Sequence, residues 1–116
     1  LENNGGFSSI NRPIQEITKG LENISIDVQG DGLIYQVRLT ITMDGYRLAY
    51  KHDFKTTANL REKISLSLKN FSAVFRGRII KGAPELESQN IIQLGFLVTT
   101  AHEGPFALSL FSAEFY

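Results

Sequence analysis

Residues 33–55 read LIYQVRLTITMDGYRLAYKHDFK, and their rhythm has a period of two. Leu33, Tyr35, Val37, Leu39 and Ile41 alternate with Gln36, Arg38, Thr40 and Thr42. Alternate side chains of a strand point to opposite faces, so one face of this segment is apolar and the other polar. Asp44-Gly45 interrupts the pattern with residues that tolerate positive φ, a strong signal for a tight hairpin turn. Beyond it, Tyr46, Leu48, Tyr50, His52 and Phe54 form a second row opposite Arg47, Lys51, Asp53 and Lys55. The stretch is expected to be an antiparallel hairpin with a core face and a solvent face.

The same rhythm recurs outward from this hairpin. Ile24, Ile26 and Val28 alternate with Ser25 and Asp27, and Gly30-Asp31-Gly32 then supplies a turn. Ile64, Leu66 and Leu68 alternate with Ser65 and Ser67. Ile92, Leu94, Phe96 and Val98 form another row, followed by a turn at 102–105 and by Phe106, Leu108 and Leu110, and these last two rows read as a second hairpin. Residues 69–90 break the rhythm with Gly77, Gly82 and Pro84, so they are expected to form a long excursion with at most one helical turn near 86–91. Residues 13–23 read as a loop. Short strands with turns about every ten residues, and almost no helical periodicity, predict a single all-β domain over 1–116, an antiparallel sandwich or barrel.

Composition narrows the function. The chain has 116 residues, enough for one core, with 12 basic and 12 acidic side chains. That balance provides no global field to drive nucleic-acid or anionic-membrane binding. The absence of cysteine excludes disulfides, zinc-thiolate sites and thiol catalysis. No apolar run approaches the roughly 20 residues of a membrane-spanning helix.

Few residues carry candidate chemistry. His52 lies in an apolar row and reads as a half-buried structural histidine, whereas His102, beside Glu103 in a turn, reads as exposed. Neither has metal-ligand spacing, and no serine lies in a nucleophile elbow. Asp27, Asp31, Asp44, Asp53, Glu85 and Glu87 fall in turns or on solvent faces. The expectation is therefore no catalytic residue, no cofactor and no metal. Arg38, Arg47, Lys51 and Lys55 should share the polar face of the central hairpin with Gln36 and Asp53, either as a contact surface for an acidic partner or as a solvated face. In FSAVFRGRII, at 71–80, Phe71, Val74 and Phe75 are expected to anchor the excursion to the core. Arg76 should bond a neighbouring loop, and Arg78 is the better candidate for an outward contact. The candidate partner-binding residues are thus Arg38, Arg47, Lys51, Arg76 and Arg78.

Five phrases, LENNGGFSSI (1–10), GDGLIYQVRL (30–39), FSAVFRGRII (71–80), LGFLV (94–98) and GPFALSL (104–110), together resemble the complex I intermediate-associated protein family. They run in order through nearly the whole chain. The resemblance implies a jelly-roll sandwich of the galactose-binding-domain-like type, related in fold to carbohydrate-binding modules. It further implies a role in assembling the membrane arm of NADH:ubiquinone oxidoreductase, through protein partners that are assembly intermediates. Two departures stand out. The family domain usually has strands ahead of the NGGF phrase, so this chain is expected to begin inside the domain and to lack its first strands. The protein also has no tryptophan, which the family places before the FSAVFRGR phrase.

Two function classes follow. The first is a non-catalytic protein-interaction module acting as an assembly chaperone. The second is a carbohydrate-binding module, which is disfavoured because sugar sites need exposed aromatic platforms and the aromatic residues here fall mostly in inward rows. An enzyme is the least expected. The expected compartment is intracellular, the mitochondrial matrix in a eukaryote or the cytoplasm in a bacterium.

Overall fold

The computed structural model describes residues 2–3, 9–13, 17–75, 78–98 and 106–116. Its strands, in chain order, are β1 (Glu2–Asn3), β2 (Ser9–Pro13), β3 (Asn23–Gln29), β4 (Ile34–Met43), β5 (Tyr46–Lys55), β6 (Arg61–Ser67), β7 (Ser72–Phe75), β8 (Arg78–Ile79), β9 (Ile91–Val98), β10 (Phe106–Ala107) and β11 (Ser109–Phe115). β4 and β5 pair along their whole length, from Ile34 opposite Lys55 to Met43 opposite Tyr46. Asp44 (φ 50°) and Gly45 (φ 83°) close the turn with both central residues at positive φ, as a two-residue hairpin loop with the right twist requires.

This hairpin is the middle of a six-stranded antiparallel sheet ordered β2-β9-β4-β5-β7-β8. A three-stranded sheet, β11-β3-β6, packs across it, and the residues between them make one apolar cluster. Tyr35, Val37, Leu39, Leu48, Tyr50, Phe54, Leu94 and Phe96 come from the larger sheet and Ile24, Ile26, Val28 and Leu66 from the smaller. Burying each such side chain contributes about 1.5–3 kcal/mol, which explains why period two governs the sequence. A separate short pairing joins β1 to β10. The protein is an antiparallel β-sandwich, as the alternation predicts.

Four expectations need correction. The rows 92–98 and 106–110 do not form a hairpin. β9 already has β4 on one edge and β2 on the other, so the chain crosses over and β11 pairs with β3 in the opposite sheet. Residues 69–90 are not wholly irregular either: β7 occupies the free edge of β5, and β8 then pairs with β7. The expected helical turn is present as a 3-10 turn at Ser88–Asn90, and a second covers Leu68–Asn70. Between β4 and β9 the register slips after Thr40, a bulge at Ile92 of β9 that puts Ile91 rather than Ile92 opposite Ile41 and into the core. Lastly, Tyr46 and Phe75 are 46% and 42% exposed. Their rows continue past the edge of the smaller sheet, where nothing covers them fully.

The turn at 30–32 is held by a buried side chain. Thr56 Oγ1 accepts a hydrogen bond from Gly32 N–H (3.0 Å) and donates to the Leu33 carbonyl (2.7 Å). Asp31 accepts from Leu33 N–H (3.2 Å) and from the Tyr35 hydroxyl (2.9 Å), which satisfies that core tyrosine. A Cβ at Gly30 would come within 2.3 Å of Thr56 Cβ. Gly30→Ala is therefore expected to cost about 3 kcal/mol, read as a fall in the urea midpoint at unchanged slope. Lys55→Ala, on the exposed end of β5, should stay within about 0.5 kcal/mol of the parent.

Candidate partner-binding face

Directly paired residues share a side of a sheet, so the registers define the outer face of the larger sheet row by row. Gln36 stands opposite Asp53, Arg38 opposite Lys51, Thr40 opposite Ala49 and Thr42 opposite Arg47. From β9, Leu97, Gly95 and Gln93 join the rows of Gln36, Arg38 and Thr40, and from β7, Ser72 and Val74 join those of Lys51 and Ala49. These described rows carry four cations, Arg38, Arg47, Lys51 and Lys55, against one carboxylate, Asp53. None holds an aromatic ring.

A hydrogen-bonded chain sets the direction of the central cation. Asp53 accepts from Gln36 Nε2 at 3.0 Å, which fixes the amide so that its Oε1 faces Arg38 Nε at 2.8 Å. The geometry leaves the two terminal nitrogens of Arg38 without a hydrogen-bond partner among the described residues. Lys51 lies directly across on the neighbouring strand, and like charges in that position repel. An anion placed between them would relieve the repulsion and accept from both. Arg47 is held to one side, its Nη1 donating to Gln93 Oε1 at 3.2 Å.

The other candidates fall elsewhere. Arg78 pairs with Phe75 at the far edge of the sheet, in the row of the inner face, so it is not brought together with Arg38, Arg47 and Lys51. Arg76 and His102 lie outside the described residues. His52 is half-buried, as expected. Its ring meets Phe71 edge-on at 5.3 Å, and Nδ1, in the tautomer protonated there, donates to the Asp53 carbonyl at 2.7 Å. Asp27 is held in a two-bond fork by Arg61 (3.1 and 3.0 Å). That hydrogen bonding keeps its carboxyl below the usual aspartate value, and the guanidinium also stacks 3.9 Å above the Phe111 ring. Glu87 accepts from Gln89 and Asn90. Among the described residues no cluster of three histidine or carboxylate groups is placed to hold a metal.

Two cavities flank the chain between β8 and β9 on the inner side of the larger sheet. The larger, about 600 Å³, is bounded by Leu21, Lys69, Phe71, Ile80 and Leu86. Within it the buried Tyr50 hydroxyl donates to the Pro84 carbonyl at 2.5 Å. The smaller, about 350 Å³, lies between Met43, Tyr46, Leu48, Phe75, Ile80 and Pro84. Sequence alternation missed both, although Gly77 within Arg76-Gly77-Arg78, between Val74-Phe75 and Ile79-Ile80, is a turn signal consistent with β7 and β8.

The profile of the family described as Complex I intermediate-associated protein 30 (CIA30) matches residues 1–110, and the chain belongs to that family. No curated protein matches it by sequence. Among solved structures, the family 11 carbohydrate-binding module of the cellulosomal cellulase Lic26A-Cel5E of Clostridium thermocellum is similar, with a TM-score of 0.61 at 12% identity, covering 94% of this chain and 83% of that one. The family 11 module from the same organism in complex with a β-1,3-1,4-mixed-linked tetrasaccharide gives a TM-score of 0.60 at 12% identity, covering 95% and 85%. These likenesses establish the galactose-binding-like sandwich fold.

Burial raises the Tyr50 hydroxyl pKa above the ordinary tyrosine value of 10.0. The stability this provides is fully present below pH 10.0 and is lost as pH rises through the higher folded-state value. Tyr50→Phe should cost about 1–2 kcal/mol at neutral pH and flatten the alkaline fall in stability, measured by urea midpoints on either side of pH 10.0.

Proposed function

We propose that this chain is a non-catalytic protein-interaction module that serves assembly of complex I, NADH:ubiquinone oxidoreductase, by binding assembly intermediates. Membership of the CIA30 family supports the biological setting. The observation that carries the mode of action is the Arg38–Lys51 pair. Its arginine is oriented by Gln36 and Asp53, the described rows of its sheet face carry four cations to one carboxylate, and the pair suits an acidic surface segment of a protein partner. Rim cations of this kind act mainly on encounter rate and on choice of partner.

Carbohydrate binding is the second reading, favoured by the oligosaccharide complex of a family 11 module that shares the fold. The described rows of the outer face offer no ring on which a sugar would stack, and a similar fold does not transfer a ligand.

Capture from the native host by the tagged chain should recover complex I subunits or their assembly intermediates. The Arg38→Glu/Lys51→Glu double variant should lose that recovery at least tenfold while its thermal midpoint stays within a few degrees of the parent. Recovery of no respiratory subunit by the parent chain would sink the proposal. Titration calorimetry with the mixed-linked tetrasaccharide should give no saturable heat; a saturable isotherm abolished by Gln36→Ala would replace the first reading with the second.

A further inference from the structure

The free edge of the larger sheet carries a second feature, unconnected with the Arg38 face. Ile80 N–H donates to the Ala73 carbonyl at 2.9 Å, which makes residues 73 and 80 a hydrogen-bonded pair. Pairs alternate along an antiparallel ladder, so Val74 and Ile79 form a non-hydrogen-bonded pair. The N–H and C=O of Ile79 therefore point away from β7, toward the open edge. Among the described residues β8 is the last strand in the sheet, and Ile79 is 63% exposed.

Beside this edge lies the apolar cavity of about 350 Å³, bounded by Met43, Tyr46, Leu48, Phe75, Ile80 and Pro84. Its rim is formed by the Tyr46 and Phe75 rings, which meet edge-on with centroids 6.4 Å apart and are both exposed. None of the described residues bounding it is charged. Exposed aromatic side chains around an apolar concavity favour insertion of a bulky side chain. A concave notch suits a convex side chain, whereas a bilayer surface is met by protruding apolar groups.

The charges flanking the notch identify its occupant. Arg78 and Lys81 bracket Ile79 and Ile80, are both exposed, and make no ion pair among the described residues. Antiparallel self-pairing of β8 about Ile79 would set Arg78 diagonally beside the Arg78 of the second copy on the same face, which is unfavourable. We propose that β8 and this notch receive an extended peptide segment of a partner protein. The segment adds as a strand through the outward N–H and C=O of Ile79, inserts one aromatic or large aliphatic side chain into the cavity that Tyr46 and Phe75 border, and sets acidic residues against Arg78 and Lys81. This is strand addition with a single side-chain pocket.

The protein contains no tryptophan, so indole emission from a peptide reports binding directly. The probe is a synthetic heptapeptide with a central tryptophan between two valines and with glutamate and aspartate at both ends. Its emission should shift to the blue and saturate, with a dissociation constant on the order of 1 mM or below. A lysine-ended twin should bind about tenfold more weakly, and so should the Arg78→Glu and Phe75→Ser variants when the acidic peptide is used. Ile79→Pro removes only the outward N–H at an edge position where proline is tolerated; it should keep the far-UV spectrum and lose the blue shift. Lys63→Ala, on the outer face of the other sheet, should bind as the parent does. The proposal is overturned by the absence of a shift at several millimolar, by equal binding of the twin, or by full binding to Ile79→Pro. It is equally overturned if the parent binds vesicles of anionic lipid but not the peptide, or if it forms a dimer that Ile79→Pro dissolves.

Discussion

The ten-pair register between β4 and β5 is the constraint on which the rest of the molecule depends. A slip of one residue would turn Tyr35, Val37, Leu39 and Ile41 to water and bring Gln36 and Arg38 into the core. The Asp44-Gly45 turn pins that register at one end, and the Thr56 hydroxyl, bridging to Gly32 and Leu33, pins it at the other. With the hairpin fixed, its two edges recruit β9 and β7, and its apolar face specifies where Ile24, Ile26 and Val28 of the smaller sheet must lie.

Six strands cannot be covered by three, and this mismatch shapes the functional surfaces. The uncovered inner face is closed by the chain between β8 and β9, which places Ile80, Ala83 and Leu86 against the core. Two hydrogen-bonding hydroxyls secure it. Tyr50 reaches the Pro84 carbonyl, and the fully buried Ser88 donates to the Thr18 carbonyl (2.7 Å) and accepts from Leu21 N–H (3.1 Å). The cover is incomplete near Tyr46 and Phe75, which leaves the apolar notch beside the sheet edge. The outer face answers to water instead, and there the cross-strand pairing juxtaposes Arg38 and Lys51.

Particular residues show how legible the site was. Arg38, Arg47 and Lys51 lie on one face as their odd and even positions require, because cross-strand pairing on either side of a two-residue turn is simple arithmetic. The orientation of Arg38 by Gln36 and Asp53 needed the distances between side chains. Arg78 read as the outward contact, but alternation does not carry across Gly77, and the ladder places it in the row of Phe75. Phe75 itself read as a core anchor because it is aromatic and apolar, yet its exposure depends on how far the opposite sheet extends.

The sequence by itself determined the strand class, the central hairpin and its turn, the polar and apolar faces, and the family. Each of these is encoded within a few neighbouring residues or in ordered phrases. Only the tertiary structure decided that β9 lies between β4 and β2, that the chain then crosses to β3, and that Ile91 replaces Ile92 in the core. Those outcomes depend on which strand edges are already occupied and on a bulge in one ladder. Edge occupancy is a property of the assembled sheets, so no local run of residues can carry it.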